Sequence, residues 1–140
     1  MLDANILVAG IPATSGTLSA LIDLWRAGAF RPVLSQHILD EVLRAWTKPY
    51  WQSRLPQGER NLAISLLQQE AERTGITVQV SGIATHPEDD LVLATALSAD
   101  VPYLVTGDKG LLTIRAYGGT SILTANEFLA LFPLQNGDQA

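Results

Sequence analysis

Asp3, Glu41, Asp89, Asp90 and Asp108 are the residues of this chain whose types and spacing could do chemistry. Each is expected at a strand end or on a short helix just after one, where parallel α/β sheets gather functional side chains. Asp3 lies in Leu2-Asp3-Ala4-Asn5-Ile6-Leu7-Val8, and Glu41 in Leu34-Ser35-Gln36-His37-Ile38-Leu39-Asp40-Glu41-Val42. The pair Asp89-Asp90 opens the apolar run Leu91-Val92-Leu93-Ala94-Thr95-Ala96, and Asp108 closes Tyr103-Leu104-Val105-Thr106-Gly107. Carboxylates brought together raise one another's pKa unless a cation lies among them. A set without histidine or cysteine partners selects a hard cation, Mg²⁺ or Mn²⁺. Such a site suits phosphodiester hydrolysis, because the ion polarises a phosphoryl oxygen and activates water.

Taken singly, each acid has a plainer reading. Asp89 or Asp90 alone is an ordinary helix N-cap, Glu41 a solvated helix residue, and Asp108 before Lys109-Gly110 a turn residue. The joint pattern carries the expectation. His37, one turn before Glu41, reads as a surface or interface histidine, and His86 as part of a loop before Pro87. Neither has the spacing of a zinc site.

The elements that must position these acids alternate between strand and helix, which predicts βαβ units and a mainly parallel sheet. A first strand is expected over Leu2 to Ala9, with only two residues ahead of Asp3. Helices are expected next over Thr17 to Ala27, Gln36 to Trp46 with Ser35 as cap, and Gln57 to Arg73. In the third of these helices, Leu62, Leu66, Leu67 and Ala71 are expected inward and Gly75 as the stop. Pro32 to Ser35 and Ile76 to Val80 read as strands. A helix is expected from the Pro87–Asp89 region to Ala99, a strand over Tyr103 to Thr106, and a short helix over Lys109 to Ile114. The last strand is Thr120 to Leu123, and Thr124 with Glu127 has the spacing of a capping box. The chain reads as one domain over residues 1–134, with a frayed tail from Gln135 to Ala140.

Composition narrows the class further. The 140 residues suffice for one core without staples. There is no cysteine, which excludes disulfides and thiolate zinc sites and suits a reducing cytoplasm. No apolar run reaches membrane-helix length, and the amino-terminal residues lack the pattern of a secretory signal. The net charge of −5 at first opposes a nucleic-acid partner. The excess is local, however: without those five acids, the remaining acids balance the 9 Lys and Arg. Arg44, Lys48, Arg54 and Arg60 are interleaved with Trp46, Tyr50 and Trp51. Such a mix could hold a phosphate backbone and stack a base, with Arg44, Lys48, Arg54 and Trp51 as candidate contacts. It could equally be a solvated helix edge over packed aromatics.

The four acidic motifs, with Leu104-Val105-Thr106-Gly107-Asp108-Lys109-Gly110-Leu111-Leu112 as the last, resemble the PIN-domain nucleases over nearly the whole chain. They are most similar to the VapC-type toxins of toxin–antitoxin pairs. The resemblance implies a three-layer α/β/α fold and a metal-dependent endoribonuclease that uses Mg²⁺ or Mn²⁺ on an RNA substrate. It also implies a protein antitoxin partner and a homodimer. By motif match Asp3 and Glu41 carry the first two ligand roles and Asp108 the fourth. The third falls on Asp89 or Asp90: counting back from Ala94-Thr95-Ala96 favours Asp89, counting back from Thr106 favours Asp90, and Asp89 is preferred. Asn5 and Thr106 match polar positions that orient the ligands.

Two other classes compete. An α/β phosphatase of the aspartate-nucleophile type usually needs a second aspartate two residues after the first; Asn5 stands there instead. A phospho-acceptor domain would carry its acidic pair after the first strand rather than at a late helix. A catalytically weak or inactive PIN-like binding module is opposed by the intact acidic set and favoured by the short first strand before Asp3.

Overall fold

The computed structural model of the chain describes residues 1–133, so the expected tail from Gln135 to Ala140, and Leu134 before it, lie outside the described residues. The chain opens not with a strand but with a single parallel bridge, Leu2 to Val105. Val105 N donates to Met1 O and Asp3 N to Val105 O, both at 2.9 Å. The chain then turns at once into α1, Ala4–Gly10. The strand expected over Leu2 to Ala9 is therefore corrected to a helix. Asp3 has extended dihedrals and its carboxylate accepts from Ala4 N, as an N-cap does. The buried Ala4, Leu7 and Val8 stand at helical spacing, and Asn5 breaks any alternation of period two.

Helices make up most of the chain beyond α1. α2 is Gly16–Arg26 and α3 is Gln36–Trp46. Between them lies β1, Val33–Leu34. Ser35 caps α3 as expected, its hydroxyl accepting from Ile38 N, and α3 buries Ile38, Leu39, Val42 and Trp46. A short helix not expected from the sequence, α4 at Pro49–Arg54, begins with proline at its first position, where a missing N–H costs nothing. α5, Gln57–Glu70, ends three residues before the expected Arg73. Ala71 is extended, so that β2, Glu72–Arg73, pairs parallel with β1. Gly75 is thus not the helix stop. The inward face is Ala63, Leu67 and Ala71, while Leu62, expected inward, is 70% exposed.

The strand expected at Ile76 to Val80 does not form. Thr77 N and Val78 N donate to Ser98 Oγ of α6, Pro87–Ala99, instead of to a ladder. Beyond α6 come β3, Tyr103–Val105, α7, Lys109–Ile114, β4, Ala116–Tyr117, β5, Thr120–Leu123, and α8, Ala125–Leu129. β5 lies between β3, to which it is parallel, and β4, to which it is antiparallel. The Thr124–Glu127 capping box is formed in both directions.

The result is an α/β fold with parallel pairing in two small sheets, β1-β2 and β3-β5-β4, in place of one continuous central sheet. Leu2, Leu7, Leu34, Ile38, Leu93, Leu104 and Trp46 form the centre of the core. Two polar links hold the helices that carry the acids. Trp46 Nε1 donates to Val8 O at 3.3 Å, fixing α3 on α1. The buried hydroxyls of Ser35 and Thr95 share a hydrogen bond of 2.8 Å, fixing the start of α3 on α6.

Candidate functional site

Asp3 is 4% exposed, and its position is determined from both sides. Oδ1 accepts from Ala4 N at 2.7 Å, and Oδ2 accepts from the buried Thr106 hydroxyl at 2.8 Å. Thr106 Oγ1 in turn accepts from Asp108 N at 3.0 Å. Asn5 Oδ1 accepts from Gly107 N at 3.1 Å, while its amide nitrogen lies 3.4 Å from both Thr106 Oγ1 and Asp3 Oδ2. Asn5 and Thr106 therefore tie the turn after β3 to the first turn of α1. Asp108 sits in that turn and caps α7, accepting from Leu111 N at 2.9 Å. Each carboxylate oxygen has two lone pairs, so these bonds leave capacity for a further partner.

Asp89 and Glu41 complete the group. Burial raises the Asp3 pKa most; the Thr106 and Ala4 hydrogen bonds lower it, and the charges of Asp89 and Asp108 raise it. Burial also raises Asp89, followed by the charge of Asp108, while His86 lowers it. Glu41 is raised first by burial, lowered by His37, raised by Asp3 and Glu88, and lowered by Arg44. His37 Nε2 lies against Glu41 Oε1 one helical turn away, as a close contact rather than an aligned hydrogen bond. The charges of Asp89 and Asp108 thus act on Asp3, that of Asp108 on Asp89 and that of Asp3 on Glu41.

Asp90, whose charge also raises Asp89, has its carboxylate engaged elsewhere. Its carboxylate accepts from Gly82 N at 3.0 Å, Ile83 N at 3.2 Å and Ala84 N at 2.7 Å. The bond from Ala84, then burial acting the other way, then those from Gly82 and Ile83 leave its pKa below the ordinary value. Successive helical residues point about 100° apart, so one of an adjacent pair can face the cluster while the other faces the preceding loop.

The donor set fits a hard divalent cation. It is all carboxylate oxygen, and its members destabilise one another's charge. Among the described residues, no three His, Cys, Asp or Glu side chains stand close enough to hold an ion as they are. A magnesium ion needs only one or two direct carboxylates and keeps several waters, so a spread set with water between remains compatible.

Of the basic and aromatic candidates, Arg44 and Lys48 line a cleft of about 340 Å³ with Asn5, Glu41 and Glu88. Arg54 lies elsewhere: its guanidinium sits 3.7 Å from the centroid of the Tyr50 ring and donates to Tyr50 O. Trp51 is half-buried and packs on the core, so the exposed ring of this stretch is Tyr50, at 56%. Sequence spacing gave no hint of that exchange, since both aromatics lie on the short helix α4. Glu88 was also missed, although it sits directly before the acidic pair.

A family model for the PIN domain matches residues 1–110, and the chain belongs to that family. The matched stretch contains Asp3, Glu41, Asp89 and Asp108. PIN domains are generally nucleases and typically use divalent metals. No curated protein and no solved structure matches the chain. Among the described residues, no helix is long and apolar enough to cross a membrane.

Proposed function

We propose that this chain is a metal-dependent endoribonuclease, using Mg²⁺ or Mn²⁺, and the toxin of a type II toxin–antitoxin pair. The observation that carries the catalytic part is the hydrogen-bonded unit of Asp3, Thr106 and Asp108, with the charge of Asp89 acting on Asp3. Asp3, Glu41, Asp89 and Asp108 would hold the cation; Asp90 instead secures the loop before α6. When bound, the cation would polarise the scissile phosphoryl group and supply a nucleophile at neutral pH. Thr106 and Asn5 keep the Asp3 carboxylate and the Asp108 turn in register. Arg44 and Lys48 offer a phosphate backbone two cations in the cleft they share with Glu41 and Glu88. The reading includes a three-layer α/β/α arrangement, with the two small sheets as parts of one central layer. It also includes a protein antitoxin, a homodimer and a cytoplasmic location, all of which rest on the motif resemblance.

The test is cleavage of a generic single-stranded RNA by the purified protein. Cutting is expected with Mn²⁺ or Mg²⁺ and is expected to stop with a chelator. Asp3→Asn and Asp89→Asn protein should stay folded and lose cleavage, whereas Asp90→Asn should retain part of it. Cleavage of equal strength without metal overturns the reading. The toxin assignment is checked separately, by asking whether the small protein encoded next to this one binds the chain and suppresses its cleavage.

A further inference from the structure

Two clefts meet at Asn5. The charged one lies beside Glu41, Arg44 and Lys48. The second is larger, about 650 Å³, within the range of ligand sites, and shares Asn5, Thr106 and Asp108 with the carboxylate centre. Its other walls are different in character. Leu18 of α2 and Leu112 of α7 are half-buried apolar surfaces. Thr17 of α2 and Asn126 of α8 meet across it, with Thr17 Oγ1 donating to Asn126 Oδ1 at 3.1 Å. That bond engages Oδ1 and leaves Nδ2 as a donor for another partner. Lys109 brings one positive charge to this cleft and Asp108 one negative charge, so it lacks the concentrated positive charge that a phosphate calls for, and its apolar walls beside the Asn126 amide suit a nucleobase.

We propose that this second cleft receives the nucleobase next to the scissile phosphate, and that Asn126, oriented by Thr17, reads its edge. The inference rests on the ribonuclease reading. A strand whose backbone phosphates lie along Arg44 and Lys48 and whose scissile phosphate lies at the carboxylates must continue past Asn5. The second cleft is the space that opens there. Asn126 also lies beyond residues 1–110, the part matched by the family model. The proposed base reader thus sits on the closing helix α8, apart from the acidic group.

The experiment presents single-stranded RNA with randomised positions to the full chain in Mn²⁺ and sequences the cut ends. Binding of short oligonucleotides differing at one base is followed in parallel by fluorescence anisotropy. The parent should prefer particular bases at one position beside the cut. Asn126→Asp replaces the donor with an acceptor and should change the ratio between bases at that position by about tenfold. Thr17→Val, which frees the amide to turn over, should flatten the preference. Asn126 is exposed and aspartate is its isostere, so this variant is expected to fold. Lys48→Ala should weaken binding evenly across sequences. Variants that keep the parent's base profile overturn the inference and leave the ribonuclease reading standing. A parent that neither binds nor cuts RNA overturns both.

Discussion

Asp3 serves two roles that pull against each other. As an N-cap it is well satisfied, accepting from Ala4 N and from the Thr106 hydroxyl. As a charge it is buried beside other acids, and burial outweighs both hydrogen bonds, so its pKa lies above the ordinary 3.8. A group whose pKa rises on folding binds its proton more tightly in the folded state. Its stabilising effect is complete below the ordinary aspartate value and is lost as pH rises through the higher folded value. Asp89 and Glu41 act in the same direction, and Asp90 and Glu127, whose pKa values are lowered, act in the opposite one. The difference between parent and variant is therefore the informative quantity. Metal-free Asp3→Asn protein should be more stable than the parent at neutral pH, because the amide removes a buried charge that other carboxylates oppose. Asparagine also remains a good cap. The gap should close as pH falls toward about 4, the ordinary aspartate range, and Mn²⁺ should stabilise the parent more than the variant. Thermal melts across pH, with and without Mn²⁺, check this; a gap that widens at low pH rules it out.

At the scale of elements, the acids were legible and their supports only in part. Ser35, Thr124 and Glu127 announce their helices in the sequence, and α3, α7 and β5 fall where the pattern puts them. Those signals are local: a cap, a periodicity, a short alternating run. The misplaced elements were decided by distant partners. Ala4 to Gly10 could be a buried strand or a buried helix by composition alone; the cap at Asp3 and the single bridge to Val105 select helix. Arg73 leaves the end of α5 because Glu72 N donates to Pro32 O, just before β1, and Thr74 N to Leu34 O within it. The choice between Asp89 and Asp90 depended on a loop whose own sequence says little. That loop gives a prediction of its own. Three N–H groups converge on Asp90, so Asp90→Ala leaves all three without an acceptor. Amide exchange at Gly82, Ile83 and Ala84 should accelerate more than at core amides of α6. Cleavage should weaken through misplacement of Asp89. Unchanged exchange at those three amides would show that the loop is held by something other than Asp90.

The whole molecule must fold on a core that two hydrogen-bonded links connect to the acidic centre, and must bring an anionic polymer to an anionic protein. Trp46 is 1% exposed and joins α3 to α1 through Val8 O. Trp46→Ala should cost about 3–5 kcal/mol, a large share of the stability of a domain this size, measurable by urea unfolding. The charge problem is harder. With Asp90 set aside as a structural acid, the chain outside the four-acid group is one negative charge from neutral. Attraction for a nucleic acid must therefore come from placement rather than from net charge. Arg44 and Lys48 lie beside Glu41 in the same cleft, so a strand is drawn to the edge of the carboxylate group, where a cation would neutralise the rest. Each contact to a single-stranded phosphate contributes about 0.7 to the slope of log affinity against log salt. Lys48→Ala and Arg44→Ala should each reduce that slope by about 0.7, with Mg²⁺ held constant and cleavage blocked by Asp3→Asn. Arg54→Ala should change the slope less, because its guanidinium stacks on Tyr50 away from the cleft. If Arg54→Ala flattens the slope as much as Lys48→Ala, the strand runs along α4, and the charged cleft is not its path.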